Sequence, residues 1–293
     1  MAAIQRPRRS VLYMPGSNAR ALEKGRTLVA DALILDLEDA VSKSNKVEAR
    51  NLIVEAVNQG GYGNREIIVR VNGLDTVWGV DDVEAIAKTS ANAVLLPKVE
   101  TAEQVQNLID LMDQAGAPAT MSVMCMMETP LGMLNAKEIA ASSNRISCFV
   151  MGTSDLVKDL HASHTKLRLP VITSLGLCLL AARAYDIAIV DGVCLDLSDD
   201  EGFEKSCVQG RELGFDGKTL IHPKTILTAN KIFEPSSLAV EKAHSIVQAF
   251  EEADRQGQGV VVLNGQLIEN LHAEEARRLI ALSEMITDLE QNN

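Results

Sequence analysis

The feature that most constrains this chain of 293 residues is an alternation repeated eight times, in which a short, almost continuous apolar run is followed by a segment with helical spacing. "RSVLYMPG" (9–16) ends in Pro15-Gly16 and leads into a helical pattern from about Asn18 to Val29. "ADALILDLEDAV" (30–41) leads into "NKVEARNLIVEAVNQ", where Val47, Ile53 and Val57 keep the helical period. The unit recurs in "EIIVRVNG" with "VDDVEAIAKTS", in "AVLLPKVE" with "TAEQVQNLIDLMDQAG", and in "MSVMCMME" with "GMLNAKEIAASS". It returns in "ISCFVMGTSD" with a helix over about 173–186, in "AIVDGVCLDLS" with "EGFEKSCVQGRELG", and in "KTLIHP" with "KTILTANKIF". Apolar runs without polar alternation belong to strands covered on both faces, which is the condition of a parallel sheet joined by helices. Eight such units within one domain's length predict an α/β chain folded as a (β/α)8 TIM barrel over residues 1–234.

Residues 235–293 do not continue the pattern. They read as a helix from Leu238 to Gln256, a connector "RQGQG", a hairpin-like "VVVLNGQLIE" and an amphipathic helix to about Leu289. A barrel mouth needs water excluded from it, so this part is expected to act as a lid or oligomerisation segment.

The formal charge of −12 and an aromatic content of 3% exclude a general nucleic-acid binder, which needs a basic stripe and stacking rings. No run of 18 apolar residues is present and "MAAIQRPRRS" has no apolar region behind its basic residues, so a cytoplasmic protein without a membrane span is expected. Cys125, Cys148, Cys178, Cys194 and Cys207 lack metal-like spacing and read as reduced core residues. The pairs Arg8-Arg9 and Arg277-Arg278 read as surface charges.

Chemistry in a barrel of this kind lies at the carboxyl ends of the strands. Those ends carry Tyr13; Asp36, Glu38 and Asp39; Arg70 and Asn72; Lys98 and Glu100; Glu128; Ser154 and Asp155; Asp196; and His222. Carboxylates outnumber cations there and would repel one another unless a cation sat among them. Glu128 and Asp155, at the ends of adjacent strands, are the candidate metal ligands, and ligation by one or two carboxylates completed by water and substrate suits Mg2+. The alternative for Glu128 is an ion pair with Arg70 or Lys98. Asp36, Glu38 and Asp39 either orient metal-bound waters, hold Arg70, or serve as acids at a helix N-terminus. Arg70 suits a bidentate grip on a substrate carboxylate, with an ion pair to Glu38 as its alternative. Arg20 and Lys24, four apart on the first helix, could take phosphates or simply form a solvated face.

Taken together, "RRSVLYMPG", "LDLEDAV", "IVRVNG", "LLPKVE", "METPLGMLN", "GTSDL", "GFDGKTLIHP" and "GQLIE" resemble the CitE-like family of citrate lyase β-subunits, malyl-CoA lyases and citramalyl-CoA lyases, within the wider group of Mg2+-dependent barrel aldolases and lyases. The resemblance implies Mg2+ on Glu128 and Asp155, the substrate's carboxylate on Arg70, the CoA portion against Tyr13, Arg20 and Lys24, and an acyl-CoA channel bordered by Leu195 and Asp196. It further implies a trimer, or an assembly of trimers, in which the C-terminal segment closes over a neighbour's barrel. The expected reaction is cleavage of a malyl-CoA or citramalyl-CoA to acetyl-CoA and glyoxylate or pyruvate, with Arg70, Glu38 and Asp39 in the catalytic set. The family's hairpin usually ends in a "MID"-like motif whose aspartate is the acid/base. Here "LIENLH" puts Glu269 in that place, one methylene longer. The competing expectations are a citrate lyase β-subunit acting on a carrier-bound thioester, a CoA-free class II aldolase, and a non-catalytic CoA-binding scaffold.

Overall fold

A computed structural model of the protein describes residues 6–292. The chain divides into two compact units, Arg8–Phe233 and Glu234–Asn292.

The first unit runs β1 (Ser10–Pro15), α1 (Ala19–Gly25), β2 (Ala32–Asp36), α2 (Lys46–Gln59), β3 (Glu66–Arg70), α3 (Gly79–Ile86), β4 (Ala93–Leu96), α4 (Ala102–Gln114) and β5 (Ser122–Met127). It continues through α5 (Pro130–Leu134), α6 (Ala136–Ala141), β6 (Ile146–Met151), α7 (Thr153–Asp159), α8 (Leu169–Ala184), β7 (Ala188–Asp191), α9 (Asp200–Leu213), β8 (Gly217–Leu220) and α10 (Ile226–Phe233). All eight strands are parallel, each pairs with its sequence neighbour, and β1 pairs with β8 to close the barrel. This is the (β/α)8 architecture that the alternation predicts.

Side chains alternate between two cores. Val11, Ile34, Ile68, Leu95, Met124, Met126 and Val150 belong to one buried cluster that fills the barrel, whereas Leu12, Leu33, Leu35, Val69, Val123 and Cys125 join the larger cluster shared with the helices. Period two then places the polar residues that follow. Asp36 stands two after Ile34, Arg70 two after Ile68 and Glu128 two after Met126, so all three enter the lumen at the carboxyl end of the sheet.

Local signals explain the helix ends. Thr101 and Gln104 form a reciprocal capping box at α4, and Gly116 follows that helix with φ of +86°. Three segments differ from the sequence reading. The sixth strand stops at Met151 and the chain turns at Gly152 into α7, which carries Asp155 in its first turn instead of on the strand. The helix after β5 breaks at Asn135 into α5 and α6. Arg8 and Arg9 are 4% and 1% exposed, not surface charges: they lock the amino ends of the strands, Arg8 to Glu66 at 2.7 and 2.8 Å and Arg9 to Asp31 at 2.8 and 2.9 Å. Each pair is bidentate, so neither guanidinium is buried without a partner.

A second buried network joins β7, β8 and the segment before α8. Asp191 accepts from Arg168 and from Lys218, each at 2.7 Å. Against the pull of burial, these two cations hold the Asp191 carboxyl below the usual range. All five cysteines are free, four of them buried.

The second unit contains α11 (Ser237–Arg255), the antiparallel hairpin of β9 (Val260–Leu263) and β10 (Gln266–Glu269), and α12 (Asn270–Gln291). The hairpin turns at Asn264-Gly265, both at positive φ (51° and 79°), as an Asn-Gly two-residue loop requires. Phe250, Ile268 and Ala273 form its buried centre. No helix among the described residues is long and apolar enough to cross a membrane.

Candidate active site

Glu128 is the first residue past β5 and is 2% exposed. Its Oε1 accepts from the backbone N–H of Lys98 at 2.8 Å. Burial, reinforced by the Glu38 carboxylate and opposed by Lys98 and Arg70, pushes its pKa up to about 7. Room for this carboxylate depends on Gly152. Register pairs Met127 with Met151, which sets Gly152 beside Glu128, and a Cβ on Gly152 would stand 2.4 Å from the Glu128 Cβ and 2.5 Å from its Oε2.

Arg70 ends β3 beneath Tyr13, with its guanidinium carbon 5.0 Å from the ring centroid. Its Nε and Nη2 donate to the two oxygens of Asp36 at 2.7 and 2.6 Å. Nη1 lies 2.7 Å from Glu38 Oε2 and 4.0 Å from Asp39. The expected bidentate grip of Arg70 on a substrate carboxylate is therefore not what this geometry offers: that edge of the fork is taken by Asp36, and Nη1 is paired with Glu38 and donates weakly to the Met126 sulfur at 3.6 Å. Asp36 is itself fixed by the N–H groups of Glu38 and Ala40. Of the readings open for the acidic motif, Asp36 and Glu38 hold Arg70.

Lys98 gathers the rest. It follows β4 with φ of +50°, a left-handed conformation that costs a lysine about 1 kcal/mol. Its Nζ donates to Glu38 Oε1 at 2.7 Å and lies 3.5 Å from Asp155 Oδ2. One residue thus ties three carboxylates, Glu128 through its backbone and Glu38 and Asp155 through its ammonium. The alternative of an ion pair between Glu128 and Lys98 takes the form of a main-chain hydrogen bond. Asp155 reaches the cluster from the first turn of α7, so the argument from adjacent strand ends is corrected: Gly152 is Glu128's neighbour across the sheet, and Asp155 returns one helical turn later.

Lys46 completes the frame, with Nζ donating to Leu37 O and Glu38 O at 2.7 Å each and resting 5.6 Å from the Trp78 ring centroid. Sequence reasoning missed it, as it missed Gly152 and the central place of Lys98. The only signals were the charges of the two lysines and the break that a glycine makes in "VMGTSD". A cavity of about 890 Å3 opens above these groups, lined by Glu38, Asp39, Lys46, Asn72, Trp78 and Lys98 among others. Tyr13 is half-buried, stacks on Arg70 and donates to the Met126 sulfur at 3.7 Å. Arg20 and Lys24 stand outside this cluster as exposed residues of α1. Leu195 and Asp196 line a separate cavity of about 300 Å3. Glu269 ends β10 in the second unit, and its backbone N–H donates to His272 Nδ1 at 3.1 Å.

Among the described residues, the cations within 4.0 Å of Asp36, Glu38, Asp39 and Asp155 are Arg70 and Lys98, with Lys46 held on the carbonyls of Leu37 and Glu38 beside them. Glu38 Oε2 lies 2.7 Å from Arg70 Nη1 and Glu128 is pushed up to about 7, so the donor set is all-oxygen and holds more carboxylates than cations. These residues fit a hard divalent cation. Among the described residues no three His, Cys, Asp or Glu side chains converge as a ready-made metal cage.

The comparisons agree with this arrangement. The chain is 50% identical over 286 residues, 98% of each protein, to a protein of Cereibacter sphaeroides named (3S)-malyl-CoA thioesterase. It is 35% identical to the citrate lyase subunit beta of Escherichia coli, covering 96% of this chain and 94% of that one. Among solved structures, CitE from Mycobacterium tuberculosis in complex with magnesium, acetoacetate and coenzyme A matches with a TM-score of 0.73 and 28% identity, covering 94% of this chain and 97% of the other. A barrel with its carboxylates at the mouth, these relatives, and a match over residues 9–223 to the model of the HpcH/HpaI aldolase/citrate lyase family place the chain in that family.

Proposed function

We propose that this enzyme acts on a malyl-type β-hydroxyacyl-CoA and that the bond it breaks is the thioester. The observation that carries this reading is the half-identical relative named (3S)-malyl-CoA thioesterase, matched over 98% of both chains. Glu128 and Asp155 would hold Mg2+, which when bound would supply Lewis-acid polarisation of a substrate oxygen.

The remaining work falls to the protein's own groups. Nη1 of Arg70, stiffened by the Asp36 fork and the Tyr13 ring, would give one hydrogen bond to the far carboxylate of the substrate by exchanging its weak contact with the Met126 sulfur. Glu38 and Asp39 hold that edge of the mouth. Tyr13, Arg20, Lys24, Leu195 and Asp196 are proposed contacts of the CoA portion. In hydrolysis a water oxygen bonds to the acyl carbon, the C–S bond breaks, and the proton lost by water ends on the CoA sulfur. Glu269, supplied by a second copy in a homotrimer or hexamer, is the proposed carrier of that proton. In that assembly residues 1–234 are the catalytic barrel and 235–293 the lid.

Carbon–carbon cleavage is the second reading, and the citrate lyase relatives at 35–36% identity favour it. There the substrate hydroxyl loses its proton, the Cα–Cβ bond breaks, and Glu269 protonates the acetyl-CoA enolate, leaving glyoxylate or pyruvate. The same carboxylate serves both routes, so products decide between them. Purified protein is incubated with (3S)-malyl-CoA and with citramalyl-CoA, in Mg2+ and in EDTA. Free CoA with malate supports hydrolysis; acetyl-CoA with a keto acid refutes hydrolysis and establishes the lyase; absence of both with Mg2+ present refutes both readings.

A further inference from the structure

We infer that the ammonium of Lys98 is the internal counter-ion of the site, seated among the carboxylates when no divalent cation is bound and displaced from Asp155 when one binds. The inference rests on the reading that Glu128 and Asp155 hold the cation.

Three observations lead to it. Lys98 has a left-handed backbone, with φ of +50°, and that strain sits at the one position whose N–H is aimed at Glu128. A costly backbone conformation persists where the surroundings fix it, and such conformations gather at functional sites. Next, the two grips of Lys98 differ in strength: Nζ is at hydrogen-bond distance from Glu38, 2.7 Å, but at 3.5 Å from Asp155. The looser contact is to the proposed ligand, and the tighter one is to a residue that can keep the ammonium after it moves. Third, the Lys98 side chain is 49% exposed, so the cavity beside it can take the displaced ammonium, while the main-chain hydrogen bond to Glu128 needs no change.

The consequence is competition. A positive charge already among the carboxylates lowers their affinity for a second cation, and it also keeps them from repelling one another when the site is empty. Lys98 would therefore weaken metal binding while stabilising the metal-free protein. A residue that merely props up the site would do the opposite to affinity.

The test uses Mn2+ alone, with no substrate, bound ion being counted from the loss of the free-ion paramagnetic resonance signal. Lys98→Asn removes the ammonium but keeps the N–H and tolerates the left-handed backbone, and Lys98→Arg keeps the charge. The expected result is that Lys98→Asn binds Mn2+ roughly fivefold more tightly than wild type, as removal of one partly exposed ion pair suggests, while Lys98→Arg matches wild type. Metal-free Lys98→Asn should also unfold at lower temperature than wild type, and saturating Mn2+ should remove the difference. Unchanged or weaker binding by Lys98→Asn overturns the inference, provided wild type binds and Glu128→Ala does not. If wild type and Glu128→Ala both fail to bind, the metal-site reading falls and this inference falls with it.

Discussion

Glu128→Gln should make the metal-free protein more stable at pH 8, and the size of the gain follows from the site. Burial beside Glu38 raises the Glu128 carboxyl from an ordinary 4.5 to about 7. At about 1.4 kcal/mol for each tenfold in proton affinity, that gap is worth about 3 kcal/mol. The folded protein binds the proton more tightly than the unfolded chain, so stability falls as pH rises from about 4.5 through 7 and stays low above it. Most of the loss lies between pH 5 and 8. Glutamine has nearly the same shape and its carbonyl can still accept from Lys98 N, but it never ionises. In EDTA, wild type should therefore lose roughly 5–10 °C of melting temperature between pH 5 and pH 8 relative to the variant, scaling from domains of this size. The two proteins are compared with each other at each pH, so that every group common to both cancels. Mg2+ at pH 8 should stabilise wild type and leave Glu128→Gln nearly unmoved. Parallel melting curves across the pH range would refute the argument that Glu128 is held ionised against its environment.

Other outcomes follow from the same geometry. Gly152→Ala drives a methyl group into the Glu128 carboxylate and should lower stability by about 1–3 kcal/mol and abolish Mn2+ binding; in the Gly152→Ala/Glu128→Ala double variant the two costs should add to less than their sum, as read from urea midpoints. Asp36→Asn leaves buried Arg70 with half its fork unmatched and should cost about 3–5 kcal/mol, whereas replacing Arg70 and Asp36 together with apolar residues should cost less. Asp191→Asn sets Arg168 and Lys218 against each other without a carboxylate and should cost a similar amount; its effect should shrink on acidification below 3.8, because wild type itself loses the Asp191 contribution there. Glu269→Gln should reduce turnover by about 100-fold or more while leaving Mn2+ affinity unchanged, separating proton transfer from metal binding.

The barrel was legible because parallel strands under helices are apolar throughout, so each announces itself as an unbroken run between two stretches of helical period. Asp36, Glu38, Arg70 and Glu128 were legible for the same reason: a charge at the end of such a run has few places to go except the mouth. Asp155 was harder. "ISCFVMGTSD" reads as one strand, and only the glycine before Thr-Ser-Asp hinted that the chain turns and begins a helix with an acid in its first turn. The fork between Arg70 and Asp36 could not be read locally, since it depends on the register that pairs those two residues across β2 and β3. Nor could the left-handed backbone at Lys98, because lysine has no preference for it and the surroundings impose it. Arg8 and Arg9 misled for the opposite reason. Adjacent arginines usually face water, and here Asp31, just before β2, and Glu66, at the start of β3, bring them inside.

The two-residue spacing that sends Glu128, Arg70 and Asp36 into the lumen limits how this protein can change over generations. Adding or deleting a single residue within β5 would turn Glu128 outward among the helices and carry every lumen side chain of that strand with it. Lengthening a loop beyond a strand end would leave that geometry alone. Substrate range in such a chain can therefore drift through its loops, or be redesigned there by grafting, while strand lengths stay fixed.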